Sequence, residues 1–353
     1  MSTVRTMGTA VRTLRTPGGI SLRFRPRTLL ATTVLLLAAL TMAVVSVGSG
    51  DYPMSPADVI RTLTGDGTPS EVFIVEELRL PRVATALLVG AALALGGTLF
   101  QTLVRNPLGS PDVLGFTHGA STGALTAVVV LGGGTWALAG GAVVGGLLTG
   151  LLVYGLAWRD GTGGYRLVLT GIGVATILTG VNGYLLTQAK LMEAARVLLW
   201  LTGSLDGRGW DNVLPLAVTL AVLVPVVLLG CARPLHQLEM GDDTASALGV
   251  RVERLRLVLL LTAVVLTAFA AAAAGPVSFV ALTAPLLARR MTGAPGPNLL
   301  PSLCAGAALL VTADWAAQRA IDGHQLPVGV VTGVLGGGCL VWLMAVQRKK
   351  GRI

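Results

Sequence analysis

The sequence predicts an all-α, polytopic membrane protein of about ten transmembrane helices, and three observations support this fold class. Hydrophobic residues make up 53% of the 353-residue chain and charged residues only 12%, whereas a soluble domain carries roughly 25% charged residues. Apolar runs of about 20 residues, the length that a helix needs to cross a bilayer, recur from residue 29 onward. Basic residues cluster before the first run and after the last.

Ten predicted spans account for nearly all of the chain, so no separate soluble domain remains. The eighth span is too short to cross a bilayer in the ordinary way. The predicted organisation is a cytoplasmic Arg-rich tail over residues 1–28, a transmembrane domain over 29–347 and a cytoplasmic tail over 348–353. The spans cover residues 29–48, 83–104, 113–131, 135–157, 167–187, 213–231, 257–274, 276–288, 299–318 and 327–346.

Basic residues at the two ends predict the orientation. Arginines without any acidic residue precede the first span, and four basic residues follow the last. Since cytoplasmic segments carry the excess of Lys and Arg, both termini are predicted to be cytoplasmic, which requires an even number of spans. Mitochondrial transit peptides are also Arg-rich, but the polytopic chain behind this tail favours the topological interpretation. The basic residues are Arg5, Arg12, Arg15, Arg23, Arg25 and Arg27, then Arg348, Lys349, Lys350 and Arg352.

The net charge and the cysteine and histidine counts exclude several classes of protein. The charge of +9 is divided between the two ends and several loops, so it forms no patterned nucleic-acid-binding domain. The three cysteines and three histidines are too dispersed for a disulfide framework or a metal site. We therefore expect no metal ion and no cofactor to be bound by this chain.

The ionisable residues within the spans help to separate classes of transporter. Asp314 is the one acidic residue well inside a span, whereas proton-driven carriers normally contain more. A sodium site built from backbone carbonyls would escape this test, so an ion-coupled secondary transporter remains an alternative. The chain has no HExxH motif and no phosphate-binding loop ending in Gly-Lys-Ser/Thr. It is therefore predicted not to be an enzyme, and any ATP hydrolysis requires a separate polypeptide.

Two stretches within the apolar regions contain helix breakers. The stretch NPLGSPDVLGFTHGASTG, residues 106–123, carries two prolines and four glycines between two predicted spans. A second break, GPVSF at 275–279, separates spans seven and eight. Broken backbone at membrane depth is tolerated only where protein buries it or where it lines a water-filled cavity, so the first stretch is predicted to be a pathway or a hinge. The breaks would correspond if spans two to five and seven to ten form inverted repeats.

The longest predicted cytoplasmic loop, residues 232–256, contains a short helical pattern. The segment LEMGDDTASALGVRVERLR places Ala and Leu at helical spacing, Asp242 and Asp243 in a first turn, and Gly249 where the helix would stop. This pattern indicates a helix that docks on a partner protein. A solvated polar connector is the alternative.

Six motifs follow one another along the chain: RLPR at 79–82, GxxxQ ending at Gln101, RNPLGSPDVLGFTHGA at 105–120, MGDDTASALG at 240–249, GPVSFVALTAP at 275–285 and QLPVGVVTGVLGG at 325–337. Together they resemble the FecCD-type permeases, the membrane subunits of ATP-binding-cassette (ABC) importers for ferric siderophores, haem and vitamin B12. The resemblance covers nearly all of the chain from residue 28 onward.

The resemblance implies a ten-helix permease that works with a second permease subunit, two ATP-binding subunits that hold ATP-Mg, and an extracytoplasmic substrate-binding protein. It also implies roles for individual residues. Docking of the binding protein would involve Arg79, Arg82 and Arg319. The translocation pathway would be lined by Gln101, Asn106, Pro107, Pro111, Gly115, His118 and Gly119. Coupling to the ATPase would involve Gly241, Asp242, Ala245, Leu248 and Gly249.

The chain departs from the family pattern at two places. Leu286 follows Pro285 where the family usually has Pro-His, and Gln318 occupies the position of a family arginine, with Arg319 one residue later. One residue rotates a helical side chain by about 100°, which weakens the docking assignment of Arg319. The TADWAAQR form resembles the second subunit of heteromeric siderophore permeases more than the homodimeric vitamin B12 type.

We therefore expect a permease subunit of an ABC importer for a ferric siderophore in the bacterial inner membrane, paired with a non-identical permease subunit. A permease for haem or vitamin B12 is the alternative within the family.

Overall fold

The structure is a computed structural model that describes residues 12–15, 21–50, 52, 54–157, 164–321 and 325–349. Of the predicted tail charges, Arg5, Lys350 and Arg352 lie outside these residues. The described chain is almost entirely helical, which confirms the all-α fold class. Its β-structure is a two-stranded antiparallel hairpin in the N-terminal tail, formed by β1 (Arg12–Arg15) and β2 (Ser21–Phe24).

Fifteen α-helices follow one another along the described residues, and short turns of π-helix or 3-10 helix extend or join several of them. The α-helices are α1 (Pro26–Gly48), α2 (Pro56–Arg61), α3 (Pro69–Val72), α4 (Leu80–Val104), α5 (Phe116–Leu125), α6 (Thr135–Ala157), α7 (Gly164–Gln188), α8 (Leu191–Leu201), α9 (Trp210–Pro225), α10 (Ala232–Leu238), α11 (Asp242–Ala247), α12 (Val252–Ala274), α13 (Val280–Thr292), α14 (Leu299–Ala317) and α15 (Val328–Lys349). The π-helical turns are Thr62–Asp66, Phe73–Arg79, Thr126–Val130 and Val226–Cys231, and the 3-10 turn is Pro111–Leu114.

Each predicted span coincides with a helix, and seven of these helices are long and apolar enough to cross a membrane. Three are shorter in their described apolar parts. These are α5 with its extension to Val130, α13, and α15, whose apolar part is Val328–Val341. The seven long helices are Pro26–Gly48, Pro69–Val104, Thr135–Ala157, Gly164–Gln188, Trp210–Leu238, Val252–Ala274 and Leu299–Ala317.

The second spanning helix begins earlier than the sequence predicted. It runs continuously over Pro69–Val104, 36 residues, although the prediction started it at residue 83. Its first turns carry charged residues and resemble a loop in the sequence. In the structure Thr68 and Glu71 form a capping box, in which each side chain accepts a hydrogen bond from the other residue's backbone, and this box starts the helix.

The hydrophobic core lies around α4, α12 and α14. In their most apolar windows, 83% of the second span, 72% of α12 and 61% of α14 are buried. Helices α4 and α14 cross at Gly90 and Gly306, where a Cβ atom on either glycine would overlap the other's carbonyl oxygen. Small residues let helix backbones approach closely in membranes, so these glycines allow α4 and α14 to pack backbone against backbone.

Corresponding helices of the two halves pack in corresponding ways. Helix α5 packs on α6 as α13 packs on α14, and α4 packs on α14 as α12 packs on α6. Helices α6 and α7 are neighbours, as are α14 and α15. This pattern of exchanged contacts is the one that inverted repeats over spans two to five and seven to ten would produce.

Candidate functional site

The residues predicted to be functional lie mainly at two opposite ends of the bundle. Helix α4 joins the ends, because Arg82 lies in its first turn and Arg105 follows its last residue. At ~1.5 Å per residue, its 25 residues separate the ends by about 37 Å. We call them the Arg82 end and the Asp242 end, after the charged residue at the centre of the polar cluster that each contains.

At the Arg82 end, Arg82 is held by a buried carboxylate. Its guanidinium contacts Asp314 of α14 through Nε–Oδ2 and Nη2–Oδ1 pairs at 3.1 and 3.0 Å. Gln318 donates to the same carboxylate at 2.8 Å, and Arg82 Nη1 donates to Gln325 at 2.8 Å. The Arg82 side chain is 14% exposed and that of Asp314 only 1%. Arg82 therefore joins α4, α14 and the segment before α15 within this chain.

The two other arginines predicted to dock a binding protein are arranged differently. Arg79 donates to the backbone carbonyls of Val47 and Tyr52, which fixes it against the end of α1. Arg319 is exposed, and its guanidinium lies 4.8 Å from the centre of the Trp315 ring. This cation–π contact positions the guanidinium without neutralising its charge. Arg319 is therefore the most accessible of the three predicted docking residues.

The broken stretch after α4 divides into an exposed part and a packed part. Asn106 and Pro107 are exposed, and the Asn106 side chain accepts a hydrogen bond from the Leu108 backbone at 2.9 Å, which closes a tight turn. Pro111 is buried and begins the 3-10 turn that leads into α5. The break is thus stabilised locally at the Asp242 end rather than left open.

Two of the four glycines of this stretch, the predicted pathway residues Gly115 and Gly119, make close helix contacts. Gly115 has φ +79°, and a Cβ there would lie 3.0 Å from Ala175 of α7. A Cβ on Gly119 would overlap the Thr149 hydroxyl of α6. Their predicted place along a pathway stays a prediction, since the contacts that the structure gives them are packing contacts.

Gln101 and His118 are the two predicted pathway residues with polar side chains on helices. Gln101 is 1% exposed and donates to the Leu282 carbonyl of α13, while its own carbonyl oxygen has no partner among the described residues. The buried Nδ1 of His118 likewise has no described partner. Gln101 lies inside the bundle between two helices, so a pathway role would require those helices to separate.

The second break, residues 275–279, begins at the Arg82 end, with Gly275 and Val277 buried and Ser278 exposed. Gly275 has φ +75°, and a Cβ there would overlap the Trp200 carbonyl at the end of α8. The Ser204 amide donates to the Ala274 carbonyl, and the Gly329 amide donates to that of Gly203. The ends of α8 and α12 and the start of α15 therefore meet at this break.

At the Asp242 end, the predicted coupling helix is α11, bounded by Gly241 at φ +111° and Gly249 at φ +84°. Asp242 is held on two sides, by Arg105 after α4 and by Arg256 of α12, whose Nη2 lies 2.7 Å from Asp242 Oδ2. The ion pairs attach the coupling helix to the ends of α4 and α12. Asp242 thus has an intramolecular role in addition to any contact with a partner.

The remaining coupling residues separate by exposure. Ala245 is fully buried in the core, whereas Leu248 is 55% exposed. Leu248 and Gly249 border an open groove with Arg251, Arg254 and Val258. An exposed leucine beside an apolar groove with a basic rim is suited to contact with another protein.

Exposed faces differ between helices at the periphery. Only 17% of the most apolar window of α7 is buried and 22% of that of the α9 span. The exposed face of α9 carries large aliphatic residues, including Leu214, Val218 and Val222, as a lipid-facing surface does. The exposed face of α7 also carries large residues, among them Ile172, Ile177 and Tyr184, but small and polar residues lie between them. The small and polar residues are Gly173, Thr176, Thr179, Gly180 and Gly183.

The sequence analysis missed α8 and the polar residues around it. Helix α8 is short and its charges, Lys190, Glu193 and Arg196, hid it within a polar connector. Asp206 and Gln325 were also missed, although both approach Arg82, at 3.6 and 2.8 Å. They are far from Arg82 in the chain, and no local pattern could have brought them together. In the described residues no three His, Cys, Asp or Glu side chains are grouped as a metal site would require.

Comparison with known proteins gives consistent matches. A family model described as the FecCD transport family matches residues 35–346. The ferric enterobactin transport system permease protein FepG of Escherichia coli (strain K12) is 47% identical over 326 residues, which cover 92% of this chain and 98% of that protein. The achromobactin transport system permease protein CbrC of Dickeya dadantii (strain 3937) is 37% identical over 89% of this chain and 90% of its own length.

A solved structure shares the architecture. It is described as a metal-chelate type ABC transporter in an inward-facing conformation, and it superimposes with a TM-score of 0.78 at 27% sequence identity. The match covers 89% of this chain and 98% of that one.

Proposed function

This chain belongs to the FecCD transport family, and we propose that it is the permease subunit of an ABC importer that carries a ferric siderophore across the bacterial cytoplasmic membrane. The observation that supports this most directly is 47% identity, over 92% of the chain, to a ferric enterobactin permease. Members of this family are membrane subunits and not enzymes, so ATP is hydrolysed by a separate subunit.

The arrangement of the two ends gives the proposed orientation. Helix α1 begins near the end of α13, where Arg27 donates to the Met291 carbonyl, and it ends beside Arg79. With both termini in the cytoplasm, the Asp242 end faces the ATP-binding subunits and the Arg82 end faces the substrate-binding protein. Transport then requires no covalent chemistry by this chain, only a change between states open to either side.

Docking of the binding protein is proposed at the Arg82 end. Arg319 supplies an exposed positive charge there, while Arg79 and Arg82 are mostly occupied within the chain. In this proposal Arg319 makes the first electrostatic contact with acidic residues of the binding protein. Arg82 would participate only if docking displaces Asp314 or Gln325.

Coupling to ATP hydrolysis is proposed at Leu248. We expect that Leu248→Asp abolishes uptake of a ferric siderophore by the assembled importer, because it places a charge in an apolar protein contact. Burying an unpaired charge costs several kcal/mol, enough to weaken association at least a hundredfold, since ~1.4 kcal/mol is tenfold. Nucleotide-dependent uptake of ⁵⁵Fe-labelled siderophore into proteoliposomes measures the effect, and co-purification measures ATPase association.

The matched control is Met240→Asp, at another exposed apolar residue of the same loop that lies outside the groove. It should insert, assemble and transport. Normal uptake and normal ATPase association by the Leu248→Asp protein would reject the coupling role. Uptake that continues without ATP but stops when an ion gradient is removed would instead favour an ion-coupled secondary transporter.

A further inference from the structure

A cavity of about 380 Å³ lies at the Arg82 end, next to the Arg82–Asp314 ion pair. Its walls come from α8, the connection between α8 and α9, the start of α6 and the segment before α15. The apolar part of the wall is formed by Leu138, Leu199, Leu326 and Pro327. Its polar and aromatic residues include Arg82, Arg196, Trp200, Ser204, Asp206 and Arg208.

Arg196 contributes a positive charge that nothing described in the chain neutralises. It is exposed on α8, and the described residues place no carboxylate within 4.0 Å of it. Glu193 stands one helical turn before it, where an ion pair would be expected. The Glu193 carboxylate instead accepts from the Lys190 backbone amide at 3.1 Å, in the cap that starts α8.

Arg208 contributes a second charge that is partly removed from water. Its Nε donates to the Ser204 carbonyl at 3.2 Å, which orients the guanidinium and leaves its other N–H groups for further partners. Burial lowers the pKa of Arg208, and the nearby Asp206 carboxylate acts in the opposite direction. A guanidinium in this position is stabilised by an added anion, because the anion compensates for the hydration that burial removed.

The cavity as a whole favours negative charge. Three arginines line it against one lining carboxylate, Asp206, whose side chain is 73% exposed. Behind Arg82 lies Asp314, so one positive charge remains in excess even when both carboxylates are counted.

We propose that this cavity is a receiving site for a negatively charged ferric chelate, with Arg196 and Arg208 as the residues that select for its charge. Ferric ion is a hard cation that prefers oxygen ligands. The anionic oxygens of catecholate and citrate chelators outnumber the charges of the ferric ion, so these complexes are anionic. Planar guanidinium groups match such oxygens through paired N–H donors. The inference rests on the proposed function and specifies its substrate class.

Steady-state uptake by the complete importer, with its partner subunits and binding protein, tests the proposal with ferric enterobactin as the probe. The KM is measured by varying the concentration of binding protein loaded with the chelate. Arg196→Gln and Arg208→Gln should each raise this KM about tenfold, because each removes one charge-assisted contact with the chelate. Arg196→Lys should recover most of the loss. Asp206→Asn should act in the opposite direction and lower the KM, because it removes the one lining carboxylate.

Three comparisons separate this from other roles. Arg61→Gln, at an arginine of the same end that is paired with Glu71 and lies outside the cavity, should leave uptake unchanged. Affinity for the iron-free binding protein should not change in the Arg196 and Arg208 variants; an equal loss there would mean that these arginines hold the protein and would overturn the proposal. An unchanged KM in a correctly assembled complex would also overturn it. If the wild-type importer takes up only neutral or cationic ferric chelates, the anionic-chelate proposal fails and the proposed function stands; if it takes up no ferric siderophore of any chelator class, the proposed function itself fails.

Discussion

Asp314 is a carboxylate inside α14, where an unpaired charge would be strongly destabilising. The structure places Arg82 and Gln318 on it, so each carboxylate oxygen has a charged or amide donor. The sequence singled out Asp314 as the one acid well inside a span, which in a transporter raises the question of a proton relay. Its partners instead indicate an intramolecular ion pair that joins α4 to α14.

Asp314→Asn should therefore destabilise the protein. Removing one partner of a buried ion pair costs ~3 to 5 kcal/mol, because the other charge remains buried and unpaired. The thermal unfolding midpoint of the detergent-purified chain measures the effect. Asp206→Asn is the control, since its exposed carboxylate is worth only about 0 to 1 kcal/mol.

The double variant Arg82→Gln/Asp314→Asn sharpens this test. Residues in direct contact show non-additive effects in a double-mutant cycle. The double variant should lose less stability than the sum of the two single variants. Strict additivity would show that Arg82 and Asp314 do not stabilise each other.

At the scale of elements, the coupling helix α11 is attached to the bundle through Asp242. Its carboxylate is shared by Arg105, at the end of α4, and Arg256, on α12. A displacement of α11 by a partner ATPase would therefore be transmitted to both helices, and α4 leads directly to Arg82 at the other end. This physical connection was not evident from the sequence, which assigned Asp242 only to the first turn of a docking helix.

Asp242→Asn should reduce the number of siderophore molecules transported per ATP hydrolysed, while assembly with the ATPase is preserved. Arg256→Gln should have the larger effect of the two arginine variants, because Arg256 is 10% exposed and Arg105 is 42% exposed. Buried pairs are screened less by solvent and salt. Asp243→Asn is the matched control on the exposed side of the same turn. Equal transport ratios for the Asp242 and Asp243 variants would contradict the attachment role.

Elements that depend on interactions between residues close in the sequence were predictable, and those that depend on distant residues were not. The spans were predictable because each is an apolar run of about the length needed to cross a bilayer. The end of α11 was predictable because glycine commonly follows the last residue of a helix, as Gly249 does here. The start of the second span was misplaced because Glu71, Glu76 and Glu77 resemble a loop. The structure instead packs these charged turns at the Arg82 end and caps them with Thr68.

The candidate site was predictable only in part. The motifs assigned Arg82 and Asp242 to opposite ends of the bundle, and the structure places them at opposite ends of α4. The partners of Arg82, however, lie more than 120 positions away in the chain. Contacts of that separation leave no trace in local periodicity. For the same reason the cavity formed by Arg196, Arg208 and Asp206 could not be anticipated, because α8 itself lies outside every predicted span.

At the scale of the whole molecule, α7 and α15 carry open glycines between their exposed apolar residues. Gly173, Gly180 and Gly183 on α7 and Gly333 and Gly337 on α15 have open space where a Cβ would lie. Glycine faces of this kind allow close approach of another helix in a membrane. We infer that the second permease subunit of the proposed importer packs on these two helices, so that each subunit supplies part of the path.

This interface can be tested by adding volume to one helix face at a time. Gly180→Leu should reduce co-purification with a second permease subunit, because it would fill the space that a partner helix needs. Gly155→Leu, which is equally open but lies on α6, is the matched control.

A second experiment tests which permease subunit packs on α7 and α15. We expect the partner to be a non-identical permease subunit, so two differently tagged copies, expressed with the ATP-binding subunit alone, should not form an active importer. Adding a non-identical permease subunit should restore uptake. An active complex that contains both tags and no other permease would show that this chain pairs with itself. The glycine faces of α7 and α15 would then have to be complementary to those of a second copy.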